Sequence, residues 1–185
     1  MEDFLMLIDY LKQVPDRRRG QGQQYQLYNI LLFSIFAILC GANSYRTIES
    51  FIIIHFYKFD EMFNMGWVRA PSYSTIRNAI KGINTDELEL VFRQYTSALQ
   101  TIQKSNKRKC IAIDGKTLRG SFDNLIDQKA IHVLSIFDAN TDLILGHYKT
   151  EEKSNEIPAL INFLKEIGLS GYIITLDAMH CQKNY

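Results

Sequence analysis

Apolar residues in the first hundred positions recur every three to four residues, which is the spacing of one face of a helix. Pro15, Gly41 and a serine-rich start near Pro71 interrupt the pattern, as helix ends do. Asn84 to Glu87 has the form of a capping box that begins a further helix. The pattern predicts five helices, at about Phe4–Val14, Tyr25–Cys40, Ser44–His55, within residues 70–84, and from Thr85 to Gln103.

The pattern changes after residue 109, where short apolar runs typical of buried strands begin. The second and third runs flank Asp138–Thr141, whose residue types favour a turn, so they should form a hairpin. A helix ending at Gly168 should separate the third run from the fourth. This order fits a hairpin followed by a right-handed crossover to a strand beside the first. The four predicted strands are Ile111–Ile113, Ala130–Phe137, Leu143–Tyr148 and Tyr172–Leu176.

This change of pattern predicts an α+β protein with two domains. A helical domain over 1–103 is joined by the polar linker 104–109 to an α/β domain over 110–185. Charge differs between the two parts, because residues 1–109 hold 14 basic and 10 acidic residues and the remainder holds 7 and 10. The net charge of the whole chain is only +1, so bulk charge alone does not indicate nucleic-acid binding.

Several classes of protein are disfavoured. The longest apolar run, Ile30–Cys40, has eleven residues, whereas a bilayer span needs about 20, so we expect a buried helix and no membrane partner. The chain starts Met-Glu-Asp, which is acidic where a signal peptide is basic. Cys40, Cys110 and Cys181 are isolated, which argues against a zinc cage or a disulfide framework. A cytoplasmic protein is expected.

Two groups of basic residues in the helical part are candidate DNA contacts. Arg17, Arg18 and Arg19 follow the first helix, and clustered arginines suit phosphate contacts. Arg77 and Lys81 lie one helical turn apart at the start of a helix-turn-helix-like pair. A solvated loop and a plain helical bundle remain the alternatives.

Two aspartates follow strands in the second part. Asp114 ends the first predicted strand and Asp177 the fourth. If these strands are parallel neighbours, both carboxylates leave the same edge of the sheet, where ligands of such sheets gather. Paired carboxylates repel each other unless a cation lies between them, and their hard oxygens select Mg²⁺ or Mn²⁺. A turn or capping role is the alternative for either aspartate alone.

Five segments of the sequence carry a family resemblance: the segment 16–51, PSYSTIRNAIKGI (71–83), IAIDGKTLRGS (111–121), HYKTEEKSNEIPAL (147–160) and TLDAMHCQ (175–182). Together they resemble the H-repeat-associated transposases of the ISAs group, which are DDE-superfamily enzymes with an RNase H-like core. The resemblance implies Mg²⁺-dependent cleavage and strand transfer of DNA, with insertion-sequence ends and target DNA as partners. It makes Asp114 and Asp177 the first two catalytic metal ligands. Lys116 and Arg119 follow Asp114 in the same motif, and we interpret them as phosphate contacts.

One feature departs from that family. Its third acid, a glutamate, lies on a helix well beyond the fourth strand, and the sequence ends at Tyr185. We therefore expect a truncated transposase with an incomplete RNase H-like domain that is inactive alone. The alternative is a non-catalytic DNA-binding or interaction fragment, which could associate with itself or with the full-length transposase and inhibit it.

Overall fold

The helical spacing of the first part produces five helices in the residues that the structure describes. The computed structural model describes residues 2–102, 110–117, 131–150, 164 and 171–176. The chain's last residues and the predicted linker 104–109 lie outside the described part. The helices are α1 (Glu2–Leu11), α2 (Leu27–Leu39), α3 (Tyr45–Phe63), α4 (Tyr73–Lys81) and α5 (Thr85–Ile102), with a short 3-10 turn at Gly20–Gln23.

Side-chain caps begin three of these helices. Ser44 and Thr47 form a reciprocal capping box at α3, and the Ser72 hydroxyl accepts a hydrogen bond from the Thr75 amide at α4. Asn84 Oδ1 accepts from the amides of residues 86 and 87 at the start of α5, at 2.9 and 3.2 Å. The predicted starts of these helices are confirmed.

The prediction for the end of α3 was wrong. The helix does not stop at His55 but runs to Phe63, because its buried face continues through Phe59. Asn64 ends it in the left-handed conformation, with φ of 45°.

The core of the helical part is aromatic and centres on α2. Phe33 is fully buried, stacks on Phe59 with 4.3 Å between ring centroids, and meets Trp67 edge-on at 5.7 Å. Trp67 Nε1 donates to Gln26 Oε1 at 2.6 Å, which satisfies its polar atom. Most of the apolar run is thus a buried core helix, as predicted. In the part of the chain that the structure describes, no helix is long and apolar enough to cross a bilayer.

The second part is a mixed four-stranded sheet, which gives the predicted α+β class. The order is β3-β2-β1-β4, with β1 antiparallel to β2 and parallel to β4. The predicted hairpin and the predicted neighbour of the first strand are both confirmed. The strands are β1 (Cys110–Thr117), β2 (His132–Asp138), β3 (Leu143–Thr150) and β4 (Ile173–Leu176).

The chain divides into two compact units, 1–95 and 96–185, so the division falls within α5. In the second unit, one face of the sheet is buried through Ile111, Ile113, Leu134 and Ile136. Alternation along each strand turns the residues between these to the other face. The buried face therefore fixes which side chains of β1 are exposed.

Candidate functional site

Asp114 lies in the middle of β1 on the exposed face of the sheet. We expected the strand to end there, and that was wrong: antiparallel pairing with β2 continues from Asp114↔Ser135 to Thr117↔His132. The side chain of Asp114 is exposed and has no hydrogen-bond or ion-pair partner among the described residues. Its side chain therefore lies on the side of the sheet away from the buried core.

The parallel pairing of β1 with β4 stops one residue before Asp114. Its last pair is Ile113↔Leu176. In the sequence, Asp114 and Asp177 are the residues that follow the two members of this pair. Asp177 itself lies outside the described residues, as does Arg119.

Some of the neighbours of Asp114 on this face are polar. Lys116 is exposed two residues further along β1, so both side chains project from the same face. Ser135 on the neighbouring strand β2 pairs with Asp114, and His147 on β3 pairs with Ser135. Within the described ranges, no three His, Cys, Asp or Glu side chains converge as a metal cage would need.

The three consecutive arginines of the helical unit differ in what they contact. The Arg18 side chain is only 12% exposed, and its Nε and Nη2 donate to the Asp16 carboxylate at 2.8 and 2.7 Å. These bonds lower the pKa of the Asp16 carboxyl, although burial opposes them. Arg18 Nη2 also donates to the Tyr25 carbonyl at 2.6 Å, so this arginine holds the loop together.

Arg17 and Arg19 are exposed, and an ion pair places their loop. Arg17 Nη2 lies 2.7 Å from Glu87 Oε1 in the first turn of α5, while the Arg17 side chain stays 60% exposed. Glu87 follows Lys81 by only six residues. The structure therefore brings the arginine loop to the junction of α4 and α5.

Arg77 and Lys81 both lie exposed on α4, opposite its buried residues Ile76 and Ala79. Tyr73 precedes Arg77 by one turn of α4. The guanidinium of Arg46 on α3 lies 4.4 Å from the centroid of the Tyr73 ring. Sequence reasoning missed this contact because the two residues are 27 positions apart, with no pattern that joins them.

Comparison with known proteins shows what these features belong to. Residues 8–96 match the DDE_Tnp_1-associated family. Over 180 residues, or 96% of the chain, it is 35% identical to "Putative transposase YncI" of Escherichia coli (strain K12) and covers 70% of that protein. It is 34% identical to "H repeat-associated putative transposase YbfD" of the same strain and covers 69% of that protein. The chain belongs to the H repeat-associated transposase family.

Other members of the family are longer than the chain. It is 36% identical to "H repeat-associated putative transposase YhhI" of Escherichia coli (strain K12) and spans 46% of its length. The chain therefore spans about half the length of the first relatives it matches. No solved structure gives a significant match.

A second acidic residue of this transposase-family chain, Asp138, is structural. It is 4% exposed and accepts hydrogen bonds from Gln100 Nε2 on α5 at 2.9 Å and from the Asn140 amide at 2.9 Å. Burial raises the pKa of its carboxyl, but these hydrogen bonds outweigh burial and hold that pKa below its usual value. Asp138 thus anchors the hairpin turn to α5, whereas Asp114 has no such task.

Proposed function

We propose that this chain is the DNA-binding and partial catalytic region of a DDE-type transposase. In this proposal the helical unit binds DNA through α4 and the loop after α1. The second unit is an RNase H-like domain, and it supplies two acidic metal ligands, Asp114 and Asp177. The observation that carries the proposal is the register of β1 and β4, because Asp114 and Asp177 follow paired residues of neighbouring parallel strands.

That register supports a shared cation. Neighbouring strands are about 4.8 Å apart, so carboxylates at adjacent positions are within reach of one ion. Asp114 fits this role because its exposed oxygens have no partner among the described side chains. Mg²⁺ or Mn²⁺ held by Asp114 and Asp177 would activate a water or a 3′ hydroxyl for attack on a phosphodiester. Lys116, on the same face, would hold a DNA phosphate beside them, and we assign the same task to Arg119.

Charge selects α4 rather than α5 as the helix that faces DNA. In a helix-turn-helix the first residues of the second helix contact the bases. Here α5 begins with Asp86, Glu87 and Glu89, which phosphates would repel. Exposed cations of this region lie on α4, at Arg77 and Lys81, and on the adjacent loop, at Arg19 and at Arg17, whose side chain stays 60% exposed beside Glu87. Arg18 is left out because its side chain is only 12% exposed and its Nε and Nη2 already bind Asp16 and Tyr25.

A titration of duplex DNA at several salt concentrations tests this surface. Each phosphate contact adds about 0.9 to the slope of log K against log salt. The double change Arg77→Ala and Lys81→Ala should therefore reduce the magnitude of this slope by about 2 and weaken binding to all sequences alike. Lys58→Ala, which removes an exposed cation from α3, is the matched control. Equal slopes for the double variant and the control would exclude α4 as the DNA surface.

We further propose that these 185 residues bind DNA without cleaving it on their own. The resemblance implies a third acid, and none of Glu151, Glu152 and Glu156 corresponds to it in sequence position. Such a chain would compete with a complete transposase for DNA ends. Mg²⁺-dependent nicking by the purified chain that disappears in Asp114→Asn would overturn this part of the proposal and leave the DNA-binding surface intact.

A further inference from the structure

The outward face of α3 carries an apolar stripe at its centre. Ile53, Ile54 and Tyr57 are 56%, 75% and 87% exposed, whereas Ile52 and Phe59 of the same helix are buried in the core. Adjacent exposed apolar side chains of this size mark surfaces that bind another protein. The proposed DNA surface on α4 does not use them.

The stripe continues along α3 in both directions and is symmetric about its centre. At 3.6 residues per turn, Ser50 and Arg46 extend it towards the start of the helix and Glu61 towards the end. Arg46 lies as far before the midpoint between Ile53 and Ile54 as Glu61 lies after it. The two ends of the stripe therefore carry opposite charges at equal distances from an apolar centre.

We propose that α3 is a homodimer interface in which the α3 helices of two copies pack antiparallel around a two-fold axis at Ile53 and Ile54. A two-fold interface uses the same patch on both copies, so the patch must complement itself. Antiparallel packing puts Arg46 of each copy opposite the partner's Glu61, and it packs the four isoleucines together. A parallel pair would instead bring the two Arg46 side chains together.

The residues at the ends of the stripe are suited to this pairing. The guanidinium of Arg46 already lies on the Tyr73 ring, which restrains the side chain and leaves its N–H edge open to a carboxylate. Glu61 is exposed and has no ion-pair partner among the described residues. Each copy thus presents one positioned cation and one available anion.

The size of the stripe sets the expected affinity. From Arg46 to Glu61 it is about 22 Å long at 1.5 Å per residue. One helix pair of this length buries less than the roughly 800 Å² per partner of a standard interface. We therefore expect a dissociation constant in the micromolar range, which sedimentation velocity from about 1 to 200 μM would resolve. The measurement needs no DNA, so its outcome is independent of the proposed function.

The first test changes the centre of the stripe. Ile54→Asp should leave the chain monomeric at every concentration, because it puts two carboxylates into the apolar centre of the dimer. Leu90→Asp, which alters a residue that is 57% exposed on α5, is the matched control and should dimerise like the parent chain. A parent chain that is monomeric at about 200 μM, or an Ile54→Asp variant that still dimerises, would overturn the proposal.

The second test uses the charges at the ends. Arg46→Glu and Glu61→Arg should each weaken self-association about ten-fold or more, because each creates two like-charge contacts. Mixed together, the two variants should form a heterodimer of near-parental affinity, because both end contacts become attractive again. Lys58→Glu, on the side of the same helix, should have little effect. A mixture that associates no better than either variant alone would exclude the antiparallel arrangement. If the parent chain associates only with a longer member of the family and not with itself, the homodimer proposal is wrong and the stripe is a contact for a different chain.

Discussion

Replacing Asp138 with alanine tests whether this buried carboxylate holds the β2–β3 hairpin to α5. Among the described residues, three donors lie within hydrogen-bond distance of it: Gln100 Nε2 at 2.9 Å, the Asn140 amide at 2.9 Å and Asn140 Nδ2 at 3.3 Å. The alanine leaves all three without their acceptor. Because Gln100 lies 38 positions away in the sequence, its bond joins two elements of the second unit, whereas the Asn140 bonds shape the turn.

The expected cost follows from these contacts. A hydrogen bond to a charged group contributes about 1.5–3 kcal/mol net. Asn140 is partly exposed and can turn to water, so its donors recover some of the loss. We expect Asp138→Ala to lower the free energy of unfolding of the sheet unit by about 3 kcal/mol, and Gln100→Ala by about half of that.

Hydrogen exchange followed by mass spectrometry would measure this effect locally. A loss of about 3 kcal/mol makes protected amides of β2 and β3 exchange about 100-fold faster. Trp67, the single tryptophan, lies in the other unit, so its fluorescence during urea unfolding reports that unit separately. Lys149→Ala, at an exposed position on β3, should change exchange by less than about two-fold.

The pH dependence adds a second readout. Since the folded-state pKa of Asp138 lies below its unfolded value, its contribution is complete above the unfolded pKa and is lost as the pH falls through the folded one. Asp138→Asn should therefore remove part of the acid sensitivity of β2 and β3. If Asp138→Ala and Lys149→Ala exchange alike, or if Asp138→Asn keeps the full acid sensitivity, the carboxylate does not anchor the hairpin.

Three further outcomes are expected. Phe33→Ala should destabilise the helical unit by about 3–5 kcal/mol in urea, because it removes a fully buried stacked ring, whereas Tyr57→Ala, at 87% exposure, should cost less than about 0.5 kcal/mol. Asp16→Asn should flatten the acid side of the Trp67 unfolding profile, because the hydrogen bonds from Arg18 lower the pKa of Asp16 and their contribution is lost as the pH falls through that pKa. Asp114→Asn should abolish Mn²⁺ binding in an electron paramagnetic resonance titration. Equal binding by the parent chain and the variant would contradict the assignment of Asp114.

Hydrophobic spacing was sufficient to locate the elements because burial dictates that spacing. The run that contains Phe33 had to be a core helix, since eleven residues, ten of them apolar, are too few for a bilayer and too apolar for solvent. Spacing could not tell Arg18 from Arg17 and Arg19. The three are neighbours in sequence, and only the positions of Asp16 and Tyr25 in space decide which of them binds within the fold.

The position of Asp114 depends on the apolar residues beside it. The side chains of a strand alternate between faces, so a slip of β1 by one residue would bury Asp114 and expose Ile111 and Ile113. Both isoleucines are buried against Leu134 and Ile136, and that core holds the register. The sequence predicted the neighbours of β1 but not that Asp114 would lie mid-strand, because the part of β1 from Asp114 to Thr117 has no apolar side chain to signal a strand. The packing of Ile113 is thus part of the candidate site: it keeps the carboxylate on the open face, one position past the last parallel pair with β4.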